Sequence, residues 1–216
     1  MAVKRSAGRP AQRRRTRKAI VDATMALIAK GRTPSVDEVA AAADVSRRTV
    51  YTHFPTFDQL LLDATVGALT QTTIDRAIDR GATGKDDDDV ESRVERMVRA
   101  LHDVPLEVER LGRKLIRLTV ESGTPDAGQD TPRRGYRRVE WIESALSPWR
   151  RQISPARWRR LVNALAIVVG WEALIVQRDV CGLSASEGEE LSVWAARAFL
   201  RATLEEQRAP RRSAKR

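Results

Sequence analysis

The stretch SVDEVAAAADVSRRTVYTHF, residues 35–54, decides the fold. Ser35 stands three residues before Glu38, so its hydroxyl can accept the Glu38 amide while the carboxylate returns to the Ser35 amide. That capping box starts a short helix over 36–42. After Ala43 and Asp44, Ser46 caps a second helix, with Val45 before the cap and Val50 at its fourth position forming a hydrophobic staple. Val36, Val39 and Ala40 give the first helix an inner side, and Val45, Val50 and Phe54 complete a miniature core. The outer side of the second helix keeps Arg47, Arg48, Tyr51 and Thr52, with Thr49 and His53 at its margins. Two short helices joined by a tight turn, the second with a polar exposed face, form a helix-turn-helix. The chemistry suits a DNA groove. An Arg fork can bond guanine O6 and N7, a Thr methyl can touch thymine, and Tyr or His can donate to phosphate.

Working outward, Ile20, Ala23, Thr24, Leu27 and Ile28 make the stripe of a helix from about Thr16 to Lys30, which Gly31 ends. Pro55 stops the second short helix, and Thr56 with Gln59 forms another capping box opening a long helix to about Arg80. Gly81–Asp89, with two glycines and four consecutive aspartates, reads as an exposed connection and not as a metal site. Further helices are expected at Val90–Asp103, Pro105–Glu121, Arg133–Leu146, Pro155–Val180 and Ser186–Gln207, with a loop over Ser122–Pro132. No segment has sustained strand alternation. The expected class is all-α.

Charge is unevenly placed. Of the net +10, residues 1–55 carry +8, residues 56–207 carry −3 and residues 208–216 carry +5. A cationic head on a near-neutral body suits a polyanion, because Lys and Arg gain affinity by releasing counterions condensed on phosphates. The single cysteine, Cys181, excludes an intrachain disulfide and fits a reducing compartment, so a cytoplasmic location is expected. No apolar run is read as a membrane span or secretory signal; Leu161–Val176 contains Asn163 and Glu172 and reads as a buried helix. Gly-rich phosphate loops, His-Cys metal spacings and a nucleophilic-serine elbow do not occur, so neither an enzyme nor a cofactor is expected.

The segment Thr16–Leu62 resembles the N-terminal domain of the tetracycline-repressor (TetR) family of bacterial transcription regulators. Ile20–Ala23, Ser35–Ala40, Asp44–Pro55 and Gln59–Leu62 carry the likeness. The resemblance implies that Arg47, Arg48, Thr49, Tyr51, Thr52 and His53 lie at or near the major groove, with Arg47 foremost for base readout and Tyr51 and His53 on the backbone. It also implies that Arg13, Arg14, Arg15 and Arg17 reach phosphates or an adjacent minor groove. Three positions depart from the family pattern: Asp44 replaces the usual turn glycine, Phe57 a frequent lysine, and Asp37 a residue that is basic in some relatives.

The expected organisation is a basic flexible arm (1–15), the helix-turn-helix domain (16–62), a helical effector-binding and dimerisation body (63–207) and a basic flexible tail (208–216). The apolar residues over Leu161–Val176 are too widely distributed for one inner face, which calls for a second copy of the chain, and the last helix adds an apolar stripe with small Ala195 and Ala198. Leu165, Val169, Trp171, Trp194 and Ala198 are the expected dimer contacts. The resemblance further implies a small-molecule effector in the body, for which Trp141, Trp149 and Trp158 offer apolar lining and His102 and Asn163 polarity. The expected function is that of a homodimeric repressor released from a two-fold symmetric operator by its effector. The alternatives are a sequence-indifferent, nucleoid-type nucleic-acid binder and, more remotely, a helical ligand-binding enzyme.

Overall fold

The computed structural model describes residues 8–31, 33–79, 89–121 and 136–208. The described residues form helices joined by turns and short connections, with no strand among them. The elements are α1 (Gly8–Ile28), α2 (Val36–Ala42), α3 (Arg47–His53), α4 (Phe57–Asp79), α5 (Val90–His102), α6 (Leu106–Glu121), α7 (Tyr136–Ala145), a 3₁₀ turn (Ser147–Trp149), α8 (Pro155–Val168), α9 (Trp171–Ile175) running into a π turn (Val176–Val180), and α10 (Ala185–Arg208).

Two compact units result: residues 1–72 with 105–136, and residues 73–104 with 137–216. The division thus falls inside α4 and groups α6 with the N-terminal helices, where the sequence suggests one body from residue 63 onward. The first unit closes on Ile20, Val21, Leu27, Val39, Val50, Phe54, Leu60 and Ala64. These are the residues that the periodicity of the first four helices turns inward. Gln59, buried on α4, explains part of α6's grouping. Thr56 accepts the Gln59 amide as expected (3.2 Å), but the Gln59 side chain turns inward to donate to the Thr119 hydroxyl on α6 (3.4 Å). The expected return bond of that capping box gives way to a tertiary one.

The second unit is built around Met97, Val98, Ile142, Leu146, Leu161, Leu165, Val169, Ala196 and Leu200, all buried. Arginine serves as glue here. Arg93 donates to the carbonyls of Ala145 (3.2 Å) and Ser144 (3.1 Å) at the end of α7, and Arg96 to Ala77 (3.0 Å) in the last turn of α4. A cation at a helix C-terminus satisfies orphan carbonyls and meets the negative end of the dipole. Arg197 and Arg99 meanwhile tie Glu91, Glu95 and Glu189 together across α5 and α10.

Two expectations are corrected. The first helix begins at Gly8, so residues 8–15 belong to α1 instead of a flexible arm; residues 1–7 and the tail residues 209–216 lie outside the described residues. The single helix expected over Pro155–Val180 is broken at Val169–Gly170, with a bend of 41°. Gly170 has φ 98° and ψ −175°, backbone that a side-chain-bearing residue rarely adopts. The Arg138 guanidinium fills the place where a Cβ would stand, donates to the freed Ala166 carbonyl (2.9 Å) and pairs with Glu172. The Val168 carbonyl is met by the Ser192 hydroxyl (3.1 Å). Among the described residues no single helix is long and apolar enough to cross a membrane; α8 with α9 and its π turn reaches that length and composition only as a bent pair.

Of the expected acidic connection, residues 81–88 lie outside the described residues. Asp89 caps α5 by accepting the Ser92 amide (2.7 Å). The expected loop at 122–132 also lies outside them.

Candidate nucleic-acid interface

The helix-turn-helix forms from local bonds. Ser35 accepts the Glu38 amide (3.3 Å) and its own amide donates to the Glu38 carboxylate (2.8 Å), completing the capping box of α2. At the other end of α2 the Val45 amide reaches back to the Ala40 carbonyl (2.9 Å) and the Asp44 amide to Ala41 (3.2 Å). This is a Schellman closure, which requires its penultimate residue to be left-handed. Asp44 takes that conformation with φ 52°, which aspartate adopts more readily than most residues. Ser46 then caps α3 by accepting the Thr49 amide (3.0 Å). Val50 and Phe54 are buried beneath it.

With its apolar side so committed, α3 exposes Arg47, Arg48, Tyr51 and Thr52, while Thr49 and His53 are half-buried at the edges. Two hydroxyls are engaged locally: Thr49 with Ser46 (2.8 Å) and Thr52 with the Arg48 carbonyl (2.8 Å). Arg47 is not isolated either. Its Nε lies 3.3 Å from one Asp37 oxygen and its Nη1 donates to the other at 3.4 Å, a two-point pairing from the start of α3 to the first turn of α2. The charge of Asp37, unfavourable toward phosphate, is thereby spent on the α2 dipole and on aiming a guanidinium.

The basic residues of α1 separate into two kinds. Arg14 and Arg15 are exposed and Arg13 is half-buried. Arg17, expected beside them on phosphate, is only 6% exposed. Its guanidinium donates to the His53 carbonyl at the end of α3 (2.6 Å), pairs with Asp63 on α4 (3.2 Å) and lies 3.8 Å over the centre of the Phe54 ring. The helical register turns it inward, two residues past the exposed run. Burial, then the charges of Arg17 and Arg13, hold the His53 imidazole below its ordinary pKa, so it is neutral at pH 7.

In the second unit the tryptophans expected to line an effector site belong to the hydrophobic core or pack against it. Trp158 is buried, and Trp141 and Trp149 are packed against the same core. The Trp141 indole donates to Asp75 (2.9 Å) and that of Trp158 to Glu143 (3.4 Å). Asn163 is exposed on α8, since the register that buries Leu161, Val162 and Leu165 turns it outward. His102 alone enters a polar cluster that the sequence gives no sign of. The Ser192 hydroxyl spends its proton on Val168, so it accepts from both Gln177 (2.8 Å) and His102 (3.0 Å), which places the imidazole proton on Nε2. Burial is the chief cause of the lowered His102 pKa; Arg178 adds to it and Glu189 opposes it.

Leu165 and Val169, expected between copies, are fully buried in this unit's own core and so are unavailable to a partner. Trp171 and Ala198 are half-buried. Trp194 is 64% exposed, with Ile167 (75%), Val180 (77%), Val176 and Leu191 also open to solvent. The sequence counted the apolar excess correctly but could not apportion it.

Residues 20–64 match the family described as bacterial regulatory proteins, tetR family. Two similar solved structures are both of the TetR-like transcriptional regulator LfrR from Mycobacterium smegmatis. One is 23% identical, over 84% of this chain and 97% of that one, with a TM-score of 0.32. The other, in complex with proflavine, is 24% identical over 86% and 96%, with a TM-score of 0.34. No curated protein matches the chain.

Proposed function

We propose, from the match of residues 20–64 to the tetR family of bacterial regulatory proteins, that this chain is a cytoplasmic, homodimeric repressor that reads a two-fold symmetric operator and leaves it when a small molecule binds. One observation carries the DNA-reading part. The second helix of a fully capped helix-turn-helix exposes Arg47, Arg48, Tyr51 and Thr52 together, above a core that leaves the helix no other work. Phosphate contacts fall to the flanking cations Arg13, Arg14 and Arg15, and base contacts to the exposed face of α3. Thr49 and His53, at the margins, complete the expected set.

The homodimer is supported by the exposed apolar surface of Ile167, Val176, Val180, Leu191 and Trp194, larger side chains than a solvated helix face ordinarily keeps. Two copies would set their α3 helices ~34–36 Å apart on one face of the duplex. An effector acts, on this reading, within the helical body. His102 and its hydroxyl and amide neighbours are the polar residues best placed to answer it.

Selection from random duplexes tests the reading. A regulator enriches one near-palindromic sequence, bound ~4–10 kcal/mol more tightly than bulk DNA. Uniform binding would leave the nucleoid-type alternative. On the selected duplex, Arg47→Ala should relax preference at one defined position by ~1–3 kcal/mol, whereas Arg14→Ala should weaken all duplexes alike and lower the salt slope by about one. Equal, sequence-independent losses from both would sink the division of roles. Screening small apolar molecules for release of the selected duplex tests the effector.

A further inference from the structure

We propose that Arg17 is a positioning residue, a buried clamp that fixes the end of the recognition helix α3 to α4, and that Asp63 is its other jaw. The proposal rests on the reading of α3 as the DNA-reading helix. Three contacts made by one guanidinium carry it: the His53 carbonyl at 2.6 Å, the Asp63 carboxylate at 3.2 Å, and the face of Phe54 at 3.8 Å. The carbonyl belongs to the last residue of α3, which follows directly on the exposed Tyr51 and Thr52, and Phe54 is the residue that caps the helix. The short α3, seven residues long, has little hold of its own at this end. Asp63 lies in the second turn of α4. A planar fork can meet a carbonyl and a carboxylate at once, while a lysine ammonium offers no such fixed geometry. Because both Arg17 and Asp63 are buried, neither charge can be left alone, so any shift of α4 near Asp63 drags Arg17, and with it the end of α3.

The clamp and a phosphate contact predict opposite signs for one substitution. If Arg17 served phosphate, Asp63→Asn would release it toward DNA and hold or raise affinity. If it clamps, Asp63→Asn should lower affinity for the selected duplex roughly tenfold, as should Arg17→Gln. Each should leave binding to random duplexes within about twofold and the salt slope unaltered. The double variant should lose no more than either single one, and Arg17→Lys should restore only part of the loss.

Hydrogen exchange on the full chain without DNA supplies an independent readout. Amides at 50–54 should lose about tenfold protection in Asp63→Asn and Arg17→Gln, with 36–42 unaltered. A salt slope lower by about one in Arg17→Gln on both duplexes would overturn the clamp. So would a lowered melting temperature with operator preference and exchange at 50–54 unchanged, which is the mark of a merely stabilising pair. Should the unmodified chain select no duplex while exchange behaves as described, the DNA reading fails and the clamp stands.

Discussion

The turn at Ala43–Asp44 and the break at Val169–Gly170 do the same thing to a helix by different means. Each interrupts a helical run at a residue with positive φ, 52° at Asp44 and 98° at Gly170. At the first, α2 is closed by the amides of Asp44 and Val45 and α3 is opened by the hydroxyl of the residue before it. Every partner lies within five positions. At the second, the freed carbonyls of α8 are met by Arg138 from α7 and Ser192 from α10. Those partners are 28 and 24 residues away. A turn made from its own neighbours survives changes elsewhere, whereas a break held from a distance is only as secure as the elements holding it.

Gly170→Ala attacks the second arrangement hardest. The added methyl meets the Arg138 guanidinium in a backbone conformation almost reserved for glycine, and a loss of about 3 kcal/mol in unfolding free energy is expected in urea melts. A loss below about 1 kcal/mol would mean that the chain straightens here without penalty, and the contrast between the two sites would dissolve. Ser46→Ala tests the local side. It removes one cap from α3 and should cost about 1 kcal/mol, with the helix otherwise intact by circular dichroism. Asp44→Gly asks whether the turn carries residual strain: relief of the left-handed aspartate, offset by greater freedom of the unfolded chain, should change stability by no more than about 0.5 kcal/mol.

Acidification separates the two regions further, with no effect at neutral pH. His53 in the first unit and His102 in the second both have folded pKa values below the unfolded value of 6.5. The unfolded chain therefore binds protons more readily, and stability falls as pH drops from about 6.5 through the folded values. His102→Gln should abolish the share belonging to the network at Val168 and leave the His53 share in place; melts at pH 7.5 and 5.5 decide it. An unchanged pH slope would show that His102 is not held neutral by its burial.

The same contrast explains what could be read in advance. The helix-turn-helix was legible to the residue, from the Ser35 capping box and the Ser46 cap to the exposure of Arg47, Arg48, Tyr51 and Thr52. Those features depend on spacings of three and four along one short segment. Arg17 misled because its neighbours Arg13, Arg14 and Arg15 are cationic too, and only the inward register with Asp63 opposite distinguishes it. The Asp37–Arg47 pairing, spanning ten residues, is invisible for the same reason: no helical spacing connects the two positions. Among the tryptophans, composition could not separate core from cavity wall, since either use buries the ring.

By itself, then, the sequence determined the helical class, the capped pair of short helices and the polar face of the second, because capping, periodicity and turn chemistry act over one or two helical turns. Tertiary structure alone decided which arginines serve the fold, where the long apolar helix breaks, and which of its apolar side chains remain for a partner. A guanidinium, a carbonyl and a carboxylate can satisfy one another only once distant segments have been brought within three ångströms, and local spacing does not record which segments those are.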